Sequence, residues 1–153
     1  MNYYKKADLQ KIRIESFSEE LRNNNQINYS DALVEDIDSD FILDDADIFR
    51  QGVCQLFAFA LNQKYGYTAY ILEVGNGFHI FCKSSDKSEY IDVRGKTKSF
   101  EEFVYGSELA YTDIDTSKEY VFSDEDFNGE HYDIGLAFAQ AIIENDAKRY
   151  QCD

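Results

Sequence analysis

Proline is absent from the 153 residues, histidine occurs twice and cysteine three times, and 15 basic residues face 30 acidic ones. Each shortage excludes something. Without proline or any Gly/Ser-rich stretch, the chain has no material for a long linker, so a single domain over residues 1–153 is expected. An odd, low cysteine count offers no disulfide framework and points to a reducing compartment, with cytoplasmic residence the expectation. Two histidines leave a zinc site short of ligands. The one suggestive spacing, His79-x-x-Cys82, puts its residues on opposite strand faces, so neither metal nor cofactor is expected. The formal net charge of −15 repels phosphates and anionic membranes, which argues against direct nucleic-acid binding and favours a basic partner. No apolar run approaches a membrane span, and the opening MNYYKKADLQ lacks the apolar centre of a secretory signal.

A hydrophobic fraction of 44%, with 12 Phe and 12 Tyr, is that of a chain able to bury a core. Its chemistry concentrates in residues 50–95, which read as a helix followed by three strands. Val53, Leu56, Phe57, Ala60, Leu61 and Tyr65 recur at steps of three and four, the spacing of one helix face, and Gly66 is a natural stop. Cys54 falls in the first turn, where the positive end of the helix dipole and unpaired N–H groups favour a thiolate. Its competing reading is a small residue of the core.

Residues 67–74 and 78–83 have strand composition, joined by the hairpin signal Gly75-Asn76-Gly77, and a third strand is predicted from Ser88 to Val93. If Ser85 and Asp86 form a two-residue loop, His79 lies opposite Asp92. Any even-numbered loop keeps the two on one face, and an odd one separates them.

The segments G-x-C-x-x-F-A-x-A-L at 52–61, F-H-I-F at 78–81 and Y-I-D-V-R-G at 90–95 resemble the core of the papain-like and transglutaminase-like cysteine enzyme superfamily. The resemblance covers under a third of the chain. It implies Cys54 as nucleophile, His79 as general base and acid, and Asp92 as the group that orients the imidazole. It also implies an oxyanion-hole glutamine, for which Gln51 is the nearest candidate, with Gln55 and the Cys54 backbone N–H as alternatives.

Outside that core, a first helix is expected within residues 3–23 and a short second one over residues 30–37. The acidic run from Asp36 to Asp47 lacks the glycine and closing glutamate of a calcium loop; it reads as lining the approach to the Cys54 helix. Arg94 begins a basic turn, Arg94 to Lys98, and is a candidate either to pair with an acid at the surface or to bind a substrate carboxylate. Ser99 and Glu102 form a capping box that opens a helix through Tyr105. Glu119 to Phe122 suggests another strand. His131 is the only alternative imidazole, and a last helix should run from about Tyr132 to Tyr150, with Cys152 in the tail beyond it.

The expected fold is α+β, with the Cys54 helix on a small antiparallel sheet between N- and C-terminal helices. The expected function is thiol-based acyl transfer on protein or peptide amides, as in a cysteine protease, a glutamine deamidase or a transglutaminase. The rival is a non-enzymatic acidic binding or inhibitor protein occupying a basic site on a partner, with nucleic-acid mimics and phage or microbial anti-defence factors among its forms. Abundant Asn, Lys, Ile, Tyr and Asp suit an AT-rich microbial or phage genome.

Overall fold

The computed structural model describes residues 3–13, 45–51, 53–74, 77–105, 117–127 and 132–152. In chain order these form α1 (Lys6–Gln10), α2 (Ile48–Gln51), α3 (Cys54–Tyr65), β1 (Thr68–Val74), β2 (Gly77–Lys83), β3 (Tyr90–Asp92), β4 (Gly95–Thr97), α4 (Phe100–Tyr105), β5 (Lys118–Glu119), a 3-10 turn (Asp124–Phe127), α5 (Tyr132–Asn145) and α6 (Ala147–Tyr150). The strands make one antiparallel sheet in the order β4-β3-β2-β1-β5. The fold is α+β.

Period-two alternation divides the sheet into two apolar faces. Ala69, Ile80, Cys82, Ile91 and Val93 join α3 and α5 in the larger core, while Tyr70, Leu72 and Phe81 pack with Phe103 and Val104 of α4 in a smaller one. Helix α3 runs through the middle. Leu56, Phe57, Ala60 and Leu61 are buried as their spacing predicts, but so are Cys54 and Ala58. The helix is surrounded rather than one-sided, because Phe59 on a further side packs against Phe122 and Phe127. Gly66 ends it in the left-handed region at φ 75°, its N–H bonding the Asn62 carbonyl.

Several expectations need correction. Helix α1 stops at Gln10, since Arg13 bridges to Asp45 and the Ile12 carbonyl accepts the Ala46 N–H. Residues 14–23, the expected helix at 30–37, the acidic run up to residue 44 and His131 lie outside the described residues. Strand β3 ends at Asp92, and the expected basic turn is instead a strand, β4. The cause is local: the Asp92 carboxylate accepts the Arg94 N–H at 2.9 Å, an Asx turn that folds the chain back at Val93–Arg94. Half of the capping box forms. Ser99 Oγ accepts the Glu102 N–H at 3.1 Å, but the Glu102 carboxylate takes the Thr97 hydroxyl rather than the Ser99 N–H. The last helix breaks at Asp146, where the chain leaves helical dihedrals and the carboxylate pairs with Arg149.

Gly95 follows the Asx turn at φ 119°, and a Cβ there would lie 2.9 Å from Arg149 Cγ. Arg149 cannot simply swing aside, because its guanidinium is stacked over Tyr4 and bonded to Asp146. Gly95→Ala is therefore expected to lose about 1–3 kcal/mol in urea unfolding. A variant as stable as wild type would mean that the turn relaxes freely. Among the described residues, no helix is long and apolar enough to cross a membrane.

Candidate active site

Cys54 is the first residue of α3, directly after Val53 at the N-cap. Its sulfur lies beside β2, since α3 packs on that face of the sheet, and the β2–β3 ladder is short there. Only Cys82–Ile91 and Lys83–Tyr90 pair across it, which leaves the Ile80 N–H for the thiol, and this N–H donates to Cys54 Sγ at 3.3 Å. A weak acceptor when protonated, the sulfur becomes a strong one as a thiolate.

The loop between β2 and β3 sets the second part of the site. The Ser84 N–H bonds the Glu89 carbonyl, so four residues are enclosed where two were expected. The pairing is consequently offset by two, and His79 is not directly opposite Asp92. The even count nevertheless keeps both on the α4 face, and a diagonal contact joins His79 Nε2 to Asp92 Oδ2 at 2.9 Å. The imidazole lies nearly parallel to the Phe81 ring and tilted against Phe103.

Arg94 completes the arrangement. Its Nη2 donates to Asp92 Oδ2 at 2.6 Å and its Nε reaches both carboxylate oxygens at 3.1 and 3.2 Å, while Nη1 donates to the Phe103 carbonyl at 3.0 Å. The guanidinium carbon lies 4.9 Å from the Tyr3 ring centroid and 5.1 Å from that of Phe103, and the Tyr3 hydroxyl donates to Asp92 Oδ1 at 3.4 Å. The expected surface ion pair is thus a buried one, and this commitment to Asp92 argues against Arg94 as a substrate contact. Relative exposures of 5% for Cys54, 2% for His79, 3% for Asp92 and 1% for Arg94 make the cluster almost solvent-free.

In so dry a setting the protonation states follow from the partners. Burial pushes the Asp92 carboxyl up, but the Arg94 guanidinium and the His79 hydrogen bond outweigh it and hold the group well below the usual carboxylate range. For His79, burial disfavours the charged ring. The hydrogen bond to Asp92 and the adjacent Cys54 sulfur reverse that preference and raise the imidazole to about 9. An ionised carboxylate only accepts, so Nε2 carries a proton. Nδ1 is buried with no hydrogen bond of ordinary geometry among the described residues, and Cys54 is the other group that acts on the ring. One imidazole thus sits between a carboxylate and a thiol, as proton transfer from sulfur requires.

The other candidates separate from this cluster. Gln51 ends α2, and its side chain lies outside the described part of the structure. Gln55 is committed elsewhere, its Nε2 donating to the Asp126 carbonyl at 3.2 Å. Cys82 faces α3, where its thiol donates to the Ala58 carbonyl, whereas His79 faces α4. Among the described residues, no group of three or more His, Cys, Asp or Glu is placed to hold a metal. Sequence reasoning missed Tyr3, Phe103 and the Ile80 N–H. The Asp92-x-Arg94-Gly95 turn carried a local signal for the carboxylate–guanidinium pair; Tyr3 carried none. No family model matches the chain, and neither does any curated protein or solved structure in the comparisons.

Proposed function

We propose that the chain is a thiol-dependent acyl-transfer enzyme acting on protein or peptide amides, of the papain-like or transglutaminase-like kind. The observation that carries this reading is the His79 ring, bonded through Nε2 to Asp92 and acted on by Cys54. In this mechanism Nδ1 takes the thiol proton and the sulfur attacks the amide carbonyl carbon. The developing oxyanion is met by backbone N–H groups at the start of α3. The protonated Nδ1 then gives its proton to the departing nitrogen as the C–N bond breaks, leaving a thioester on Cys54. A second nucleophile resolves the thioester, again with His79 as base. Water acting after attack on a peptide bond completes proteolysis. Water after release of ammonia from a glutamine side chain completes deamidation, and an amine in place of water gives transglutamination. The net charge of −15 favours a basic protein or peptide as substrate, and three free cysteines suit a reducing compartment.

Iodoacetamide alkylation tests the central pair, with each cysteine followed by mass spectrometry between pH 5 and 9. At pH 6 Cys54 is expected to react at least about tenfold faster than Cys152, and His79→Ala to remove that advantage. A folded protein in which Cys54 reacts no faster than Cys152 at any pH would overturn the enzyme reading.

The enclosure of the cluster, combined with the acidic surface, favours a second reading: an acidic binding protein that occupies a basic site on its partner. Cys54→Ala distinguishes the two. It eliminates the effect of an enzyme and leaves that of a binding protein intact.

A further inference from the structure

We infer that Arg94 is a positioning residue of the Cys54–His79–Asp92 site, holding the Asp92 carboxylate ionised and aimed at His79 so that the opposite imidazole nitrogen is turned to the thiol. The inference rests on the acyl-transfer reading and assigns Arg94 a part in the chemistry without contact to substrate.

Two of the guanidinium nitrogens and the Arg94 backbone N–H all converge on the one carboxylate. Asp92 Oδ2 is shared between Arg94 Nη2 at 2.6 Å and His79 Nε2 at 2.9 Å. That oxygen therefore cannot turn from the imidazole without abandoning the arginine. The fork is itself immobilised, by the Phe103 carbonyl at Nη1 and by contact with the Tyr3 and Phe103 rings. A lysine would supply the same charge from a single point and would leave the rotation of the carboxylate unfixed. The strand-end sequence Asp92-Val93-Arg94 explains how both groups reach one place: the Asx turn brings residue 94 back over the side chain of residue 92.

Other charged and titratable groups surround this pair from every packed element. Among the described residues they are Cys54 from α3, Cys82 from β2, Tyr3 from the segment before α1 and Tyr150 from α6, with Glu102 of α4 acting on Tyr3. None of them offers Asp92 a cation. Among the groups acting on the carboxylate only Arg94 is permanently positive, His79 being so only when protonated.

The test uses the full chain with Arg94→Met and Arg94→Lys, two readouts, and a His79→Ala control. The first readout is the titration of the Asp92 carboxyl carbon by NMR; the second is the pH profile of Cys54 alkylation, with Cys152 as internal reference. In Arg94→Met, Asp92 is expected to titrate at least about one pH unit higher than in wild type. Cys54 alkylation at pH 5–6 should fall about tenfold while Cys152 is unchanged, since a carboxylate released from the guanidinium fork no longer fixes the ring. In Arg94→Lys the carboxyl should stay low while Cys54 still loses rate, which separates the fork from the charge. Wild-type Asp92 and Cys54 profiles in a folded Arg94→Met would overturn the proposal. If that variant does not fold, a wild-type Cys54 rate in Arg94→Lys overturns it. A wild-type Cys54 profile insensitive to His79→Ala would instead overturn the acyl-transfer reading, and the Asp92 titration would then decide the hold of Arg94 on the carboxylate separately.

Discussion

Asp92→Ala is expected to lose about 3–5 kcal/mol of folding stability, a large share of what a domain of this size possesses. The change removes an anion bonded to both Arg94 and His79, and it opens the Asx turn between β3 and β4. The guanidinium would keep the Phe103 carbonyl and two aromatic faces, too little to replace a carboxylate in a site with almost no water. Asp92→Asn should lose less, because the amide oxygen can still accept the Arg94 N–H. Replacing both charges, as Asp92→Leu with Arg94→Met, should recover most of the loss, since a buried ion pair exchanged for apolar groups is often nearly neutral. Urea unfolding of the four proteins gives the comparison. An unfolding free energy for Asp92→Ala within about 0.5 kcal/mol of wild type would show that the ion pair does not hold this corner together.

That stability is anchored in the same residues as the proposed chemistry bears on what could be read in advance. Helix α3 was legible because its apolar positions keep a helical period up to Gly66, and Cys54 was legible as a residue of its first turn. The shared face of His79 and Asp92 was legible as parity. Their exact pairing was not, because it depends on side chains inside the loop: the Asp86 carboxylate collects the Ser84 hydroxyl, the Ser88 hydroxyl and the Ser88 N–H. Lys87 takes a left-handed conformation at φ 63°, which its residue type gives no reason to expect. Arg94 was misplaced at the surface for a related reason. A cation in a run with Lys96 and Lys98 reads as solvated, and only the tertiary approach of Tyr3 and Phe103 closes over it. Of the acidic run, Asp45 and Asp47 have structural partners: Asp45 Oδ1 accepts the Asp47 N–H, the Asp45 backbone bridges to Arg13, and Asp47 pairs with Arg50.

The second large effect is expected in the dependence of stability on pH. His79 titrates at about 9 in the folded chain against an ordinary value of 6.5, so the native state holds its proton more tightly than the unfolded one. The stabilisation is complete below pH 6.5, declines as pH rises above it, and is gone beyond about 9. At about 1.4 kcal/mol per pH unit the loss amounts to about 3 kcal/mol. Chemical unfolding at intervals from pH 6 to 9 should show that decline in wild type. His79→Gln should lack it. The buried Cys82 thiol, pushed well above its ordinary value of 9.0, adds a loss of the same sign at the alkaline end. The variant retains that loss, so the difference between the two profiles isolates the imidazole. Parallel profiles would mean that His79 is not held as an imidazolium by Asp92 and Cys54.

The turn that carries Asp92 and Arg94 is also gripped from both sides in sequence. The Tyr3 hydroxyl reaches Asp92 from 89 residues upstream, the Tyr4 N–H bonds the Arg94 carbonyl, and the Tyr150 hydroxyl bonds the Val93 carbonyl from 57 residues downstream. This gives the site an order of assembly. On the ribosome, α3 and the β1–β2 hairpin emerge and can pair locally well before Tyr150 leaves the exit tunnel. A nascent chain therefore displays Cys54 and His79 while the turn that fixes their partners still lacks its last clasp. Of the three contacts on the turn, the one from Tyr150 of α6 is the last to be synthesised, so the Val93 carbonyl gains its partner only after α3 and the β1–β2 hairpin have had time to form.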